Sequence, residues 1–510
     1  MLSSIQRNIT KPAARAKRQT ATEVEHRAEN GNSDLVTLNI LHVNDLHGVV
    51  NPRLEPKISA DGKAGGLANL KTAIDRQRAK NPDGTVVVCT GDFAEGTMES
   101  YLSKGEVAIK ALKGFGFDLV VPGNHDFAWG QNALQAMLTG LNAPSLGANI
   151  VQAASGELME GQQATAVLNR KGVELGFIGL TTPEMRHYIA EDKLKGLDFL
   201  PTEETVRKHL PQLEKKSDLQ VALTHIGFEQ DCKLARETEG LEEIIGGHSH
   251  TVLPEGHKEN GVHVAQAGSF GVYLGNTEIV WDKTNGRLVS IESGVIPVEN
   301  SKFEPDEPTA KVMAPYLKEA EEIGSTIKGE ALEELHYGHR EASMLNQIHA
   351  DSLLENSGAD LAICNSRTLR GHIPAGPTSY RDLYQALPFT EENLVTMEAT
   401  GQMVLDEIED DLRDKATELA VPSGLSYQYD SSKPEGQRLV SVKLADGSPL
   451  NPHKTYRVAA NETMSRKRHF DRAENKQVIC GVQPLFFEAY EKSGPWKNDP
   501  DSRVVDLGRE

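Results

Sequence analysis

Five short apolar runs in the first half of the chain each end in side chains that bind cations or phosphate, and this constrains the fold more than any other feature. Residues 38–43 run into Asn44-Asp45-Leu46-His47-Gly48, and residues 85–89 end at Gly91-Asp92. Residues 117–121 lead to Gly123-Asn124-His125-Asp126, 220–223 to Thr224-His225, and 241–245 to Gly246-Gly247-His248-Ser249-His250. A single Gly-Asp or a lone histidine is ordinary turn or core chemistry. Five such clusters, each behind an expected strand, are not what unrelated turns produce. As strands of one mostly parallel sheet, the runs would place all five clusters along its carboxyl edge, where open α/β sheets hold ligands. His-x-His suits this geometry, because alternation puts both imidazoles on one side of an extended chain.

The donors are Asp45, His47, Asp92, Asn124, His225, His248 and His250, all oxygen or imidazole, with no thiolate. That set admits zinc, manganese, iron or cobalt and disfavours copper(I) or an iron–sulfur cluster. Asp92 is placed to bridge a pair of ions ~3.5–4 Å apart, which would supply hydroxide at neutral pH and clamp the oxygens of an in-line displacement. A phosphate ester is the matching electrophile.

Charge limits the partners. Against 54 Lys+Arg stand 74 Asp+Glu, a formal charge of −20, which argues against a nucleic acid polymer but not against a small phosphorylated ligand whose charge the ions neutralise. No apolar run nears the ~18 residues of a membrane span. The four cysteines form no C-x-x-C pair, and Cys89 and Cys364 lie in apolar runs, so neither a disulfide framework nor a redox motif is expected.

Residues 1–34 read as a basic, disordered tail, with Arg7, Lys11, Arg15, Lys17 and Arg18 and no apolar core of a secretory signal. An intracellular location is therefore expected, with organelle targeting the alternative. Residues 35–298 form the first α/β domain, with helices over 66–80 and 205–216 and a hairpin over 278–291 turning at Asn285-Gly286. Polar residues 299–308 read as a linker, and a helix over 309–327 completes a connecting segment to 331. A second α/β domain fills 332–510.

Asp-x-His, Gly-Asp, Gly-Asn-His, a later His and Gly-His-x-His, in this order, resemble the calcineurin-like metallophosphoesterases. The second half resembles the C-terminal domain of the two-domain 5′-nucleotidase family, through Arg340-Glu341-Ala342-Ser343, Asp360 to Arg370, Ile373-Pro374-Ala375-Gly376 and Leu387-Pro388-Phe389. The resemblance implies an N-terminal metallophosphoesterase β-sandwich flanked by helices, followed by an α/β substrate-recognition domain. One ion would take Asp45, His47, Asp92 and His250, the other Asp92, Asn124, His225 and His248, as two divalent or mixed-valence ions. His125 would stabilise charge on the transferred phosphoryl group. In the family an acid three residues beyond this histidine pairs with it; here that position is Ala128, and the acid of the motif is Asp126. Arg340, Asn365 and Arg370 would contact a nucleotide and Phe389 would stack on its base.

This chain departs from the family in two places. Ser366-Arg367-Thr368 replaces a triple glycine. Thr463 stands where a second stacking aromatic belongs, leaving Phe470 as the substitute. The basic run Arg466-Lys467-Arg468 nearby suggests a preference for more heavily phosphorylated substrates. The expected activity is hydrolysis of nucleotide phosphomonoesters by metal-bound hydroxide. The alternatives are 2′,3′-cyclic-nucleotide phosphodiesterase or nucleotide-sugar pyrophosphatase activity and, in another class, a weakened protein that binds phosphorylated ligands without turnover.

Overall fold

The computed structural model describes residues 34–59, 62–388, 392–498 and 503–508; the basic tail and Phe389 lie outside them. The five runs do form strands, but across two sheets rather than one. Leu35–Val43, Thr85–Thr90 and Leu119–Val121 pair in parallel within a seven-stranded sheet. Leu219–His225 and Glu243–Ile245 pair in parallel within a six-stranded sheet, beside Val173–Thr181. The sheets meet face to face through Leu38, Ile40, Val86, Val88 and Leu119 on one side and Phe177, Val221, Leu223 and Ile245 on the other.

Helices cover both outer faces. Leu67–Arg78, Glu106–Leu112 and Gln131–Leu141 pack on the first sheet, Thr202–Leu213 and Phe228–Glu237 on the second. Strands covered on both faces read as near-continuous apolar runs, so the runs look the same for one sheet or two. The carboxyl ends of all five strands still converge at one end of the sandwich.

The hairpin pairs Tyr273–Asp282 with Arg287–Pro297, and Gly286 takes φ 56° at its turn. The segment expected as a linker is docked. Asn300 N–H donates to Lys63 O (3.3 Å) and Phe303 is buried among the first-sheet helices. Asp306 Oδ2 accepts from Thr309 N–H (3.0 Å), capping the helix Glu307–Gly324, whose Met313 joins the same core.

The second half is built on a five-stranded sheet in the spatial order Ala420–Ser423, Leu361–Asn365, Thr455–Asn461, Asn393–Thr400, Glu474–Gly481. Helices Met344–Glu355 and Val482–Ser493 cover one face and Gly401–Asp411 the other. The two halves touch through Arg381 Nη1 and Glu99 Oε1 (2.8 Å) and through the rings of Tyr101 and Tyr384 (5.3 Å). Arg466 also donates across the interface to Arg186 O and Ile189 O. No described helix is long and apolar enough to cross a membrane.

Candidate metal centre and substrate cleft

The loops after the first two strands are zipped by backbone hydrogen bonds, Asp45 N–H to Gly91 O (3.0 Å) and His47 N–H to Asp92 O (2.9 Å). Five of the seven expected ligands hold positive φ: Asp45 (52°), His47 (50°), Asp92 (56°), His248 (78°) and His250 (55°). Each such residue costs on the order of 1 kcal/mol and persists only where its surroundings impose it. Glycines make the room. A Cβ on Gly91 would sit 2.5 Å from His225 Nδ1, and one on Gly247 2.6 Å from Thr90 O.

Five of the seven donors meet in two overlapping sets. Asp45 Oδ1 lies 3.3 Å from His250 Nε2 and 4.0 Å from His47 Nε2, and the two imidazole nitrogens are 3.0 Å apart. Asp92 Oδ2 lies 3.1 Å from His225 Nε2 and 3.7 Å from His47 Nε2, while Asp45 Oδ1 is 3.9 Å from His225 Nε2. Asn124 Oδ1 and His248 Nδ1 stand 2.9 Å apart, and the His248 ring is 5.2 Å from that of His225. Asn44, which the sequence did not single out, fixes Asp45: its Nδ2 donates to Asp45 Oδ2 (2.6 Å) and Gly268 O (2.6 Å), and its Oδ1 accepts from Ala267 N–H (3.0 Å).

The hydrogen bonds behind the ligands test whether this set fits cations. His47 Nδ1 donates to Glu95 O (2.9 Å) and His225 Nδ1 to Thr90 O (2.7 Å), so both rings turn Nε2 toward the carboxylates. That is the tautomer a metal-ligating histidine needs. His225 Nε2 is buried at 3.1 Å from Asp92 Oδ2, off the line of a hydrogen bond. Burial keeps His47 and His248 neutral, lowering each to about 4. Burial also opposes a charge on His225, yet Asp92 and Asp45 push it up to about 9. Two buried carboxylates thus draw positive charge to a point ringed by imidazole nitrogens. The residues fit a pair of divalent ions.

Asp126 does not face this point. Its buried carboxylate accepts from Asp92 N–H (2.8 Å), Phe93 N–H (2.7 Å) and Gly123 N–H (2.8 Å), stapling two ligand loops together. Burial and the charge of Asp92 push it up to about 7 against the pull of those amides. His125 donates its N–H to Asp92 Oδ1 (2.9 Å), and its Nδ1 meets Glu95 Oε2 at 2.7 Å. Glu95 is the main residue the sequence reading missed. Its only signal was an acid three residues after Asp92 in a chain with alanine at position 128.

A cleft of about 200 Å³ opens between the halves. Asn124 and His125 line one wall, with His187 and Tyr188 beside them; Asn365, Arg367, Thr368 and Arg370 line the other, with Glu392, Glu418 and Thr463. Asn365 and Arg370 therefore reach the cleft. Arg340 is not among the lining residues; its Nη1 donates to Arg413 O (2.9 Å) and Ala416 O (2.6 Å). Thr463 is tied to Glu392 through both its hydroxyl and its N–H. Phe470 is fully buried among Leu361, Met397 and Tyr427 and cannot replace the missing aromatic. Two of the three residues of the basic run are also otherwise engaged. Arg466 pairs with Glu462 and the carbonyls noted above, and Lys467 lies between Asp411 Oδ1 (2.5 Å) and Glu418 Oε1 (2.6 Å). Neither Arg466 nor Lys467 is thereby available to a bound phosphate, and Arg468, which is exposed, does not line the cleft.

Residues 38–252 match the family model for calcineurin-like phosphoesterases, and residues 323–470 match that for the 5′-nucleotidase C-terminal domain. Metal-dependent hydrolysis of phosphate esters is the chemistry of this class. The chain belongs to the two-domain 5′-nucleotidase family. It is 29% identical over 469 residues to the 5′-nucleotidase of Vibrio cholerae, covering 81% of this chain and 80% of that protein. It is 27% identical over 485 residues to the endonuclease YhcR of Bacillus subtilis, covering 88% of this chain but only 38% of the relative. The crystal structure of a 5′-nucleotidase precursor from Thermus thermophilus superposes with a TM-score of 0.76 at 26% identity, covering 93% of this chain and 100% of the other.

Proposed function

We propose that this chain is a dinuclear-metal phosphohydrolase that releases phosphate from nucleotide monoesters, with the seven donors as its metal ligands. The observation that carries the reading is the orientation of His47 and His225, each locked through Nδ1 to a carbonyl so that Nε2 faces Asp45 and Asp92. Two divalent ions held there supply Lewis acidity and make a water acidic enough to act as nucleophile near neutral pH.

The chain's own residues do the rest. Asp126 and the paired loops keep Asp92 and Gly123 in register, so the ligands are preorganised. His125 stands on the cleft wall with Nδ1 committed to Glu95, so Nε2 is the nitrogen that serves a phosphoryl oxygen and stabilises charge developing on it. Across the cleft, Arg370 offers a planar fork of donors for an anionic group, and Asn365, whose Oδ1 caps the turn at Arg367 N–H (2.7 Å), holds the segment that carries it. Arg367 adds a second guanidinium to that wall.

The test is a panel of nucleoside mono-, di- and triphosphates, cyclic nucleotides and nucleotide sugars, assayed with manganese, cobalt or zinc. Release of phosphate from 5′-monophosphates, reduced roughly 10²–10³-fold by Asp92→Asn, is the expected result. Turnover confined to cyclic nucleotides or nucleotide sugars would replace the monoesterase assignment. Nucleotide binding without turnover under any metal would refute hydrolysis.

A further inference from the structure

We propose that Glu95 is the positioning residue for His125, supplying from the Asp92 loop the carboxylate that the Gly-Asn-His-Asp loop lacks at Ala128. The inference rests on the hydrolase reading and names what orients its phosphoryl-stabilising imidazole. Glu95 is 1% exposed, and its Oε2 lies 2.7 Å from His125 Nδ1. The other two carboxylates beside this ring have different tasks. Asp126 is taken up by three backbone amides, and Asp92 accepts from the His125 backbone while facing His225 with its other oxygen. Ala128 is itself buried, directly after the turn that carries His125.

The backbone at Glu95 is fixed independently of its side chain. Gly96 follows at φ 141°, where a Cβ would come 2.8 Å from His47 Cβ, and Glu95 O accepts from His47 Nδ1 (2.9 Å). One residue thus orients two imidazoles, a metal-ligating ring through its carbonyl and a phosphoryl-facing ring through its carboxylate. A carboxylate at Nδ1 holds the proton there and fixes the ring plane, so that Nε2 faces the cleft in one orientation. Truncating the side chain leaves the His47 contact in place, so the two roles separate experimentally.

The experiment compares Glu95→Ala and the isosteric Glu95→Gln with wild type, alone and in a His125→Ala background, using the best phosphomonoester from the panel and the metal-loaded full chain. Glu95→Ala is expected to lower kcat roughly 10–100-fold with KM within about twofold and two ions per chain retained. Glu95→Gln, which keeps an acceptor but not the charge, is expected to lose less. In the His125→Ala background neither substitution should reduce kcat further. The proposal is overturned if Glu95→Ala keeps wild-type kcat, if it loses metal, or if it costs the same factor with and without His125. Should Glu95→Ala fail to accumulate, Glu95→Gln decides by the same criteria. An inactive wild type would instead refute the hydrolase reading itself.

Discussion

Gly123 sits where the third strand delivers Asn124 and His125, and a methyl group there tests how tightly the ligand loops are packed. A Cβ on Gly123 would lie 2.7 Å from His225 Nε2 and 2.6 Å from the Asp92 amide nitrogen, and it would also press on Asp92 Oδ1. Ordinary contact begins at 3.4 Å, so His225 or its strand must give by 0.7 Å (3.4 less 2.7). Coordination tolerates only about ±0.2 Å before a ligand is lost. Gly123 has no positive φ, so the effect is one of space and not of backbone strain. The expected cost to folding is about 1–3 kcal/mol, as for other overpacked sites. The expected cost to function is larger, on the order of 10²-fold in kcat/KM, with fewer than two ions retained per chain. Gly114→Ala is the control, because its new Cβ would meet nothing nearer than Lys71 Cε at 3.8 Å. Metal content by elemental analysis, measured beside steady-state kinetics, checks both variants. A Gly123→Ala protein holding two ions at full activity would refute the packing argument.

Two further predictions concern titration in the second half. His349 is fully buried against Phe486 with neither ring nitrogen hydrogen-bonded, and burial lowers it from 6.5 to about 4. Below pH 6.5 the unfolded chain takes up a proton that the folded chain refuses, so this stability is present above 6.5 and is lost as pH falls toward 4. His349→Leu should therefore gain about 2 kcal/mol more at pH 5 than at pH 7.5; urea unfolding at the two pH values measures it, and a pH-independent difference would contradict it. Lys467→Ala should cost about 3 kcal/mol at pH 8 by stranding Asp411 and Glu418. Burial, opposed by Lys467, pushes Asp411 up to about 7, so at pH 5 its carboxyl is already neutral and the cost should shrink. The substrate ranking of that variant should match wild type, since Lys467 is spent inside the fold.

The candidate cluster of donors was legible because its backbone leaves a mark in the sequence. Side chains held at positive φ and packed against one another need glycines at fixed offsets, and Gly91, Gly123 and Gly247 stand there. The division into two sheets left no such mark, since strands apolar on both faces fit either arrangement. Glu95 was hidden for another reason: it meets His125 only when two loops thirty residues apart in sequence close over each other. Charge alone did not separate Arg367 and Arg370, which line the cleft, from the other arginines. Arg340 and Arg466 look like anion binders, but backbone carbonyls claim both, and no local pattern predicts which carbonyls lie in reach. His187 and Tyr188 reach the cleft from a helix of four residues, Met185–Tyr188, too short to show a period.

The two walls of the cleft come from separate hydrophobic cores, Asn124 and His125 from the sandwich, Asn365 and Arg370 from the five-stranded sheet. If the proposed function holds, reaction chemistry and substrate choice are encoded in stretches of sequence that fold around different interiors. Changes on the wall that carries Arg367 and Thr463 can therefore be made without touching the strands that deliver Asn124 and His125. The same separation makes this scaffold a ready starting point for redirecting a hydrolytic centre toward new phosphorylated molecules.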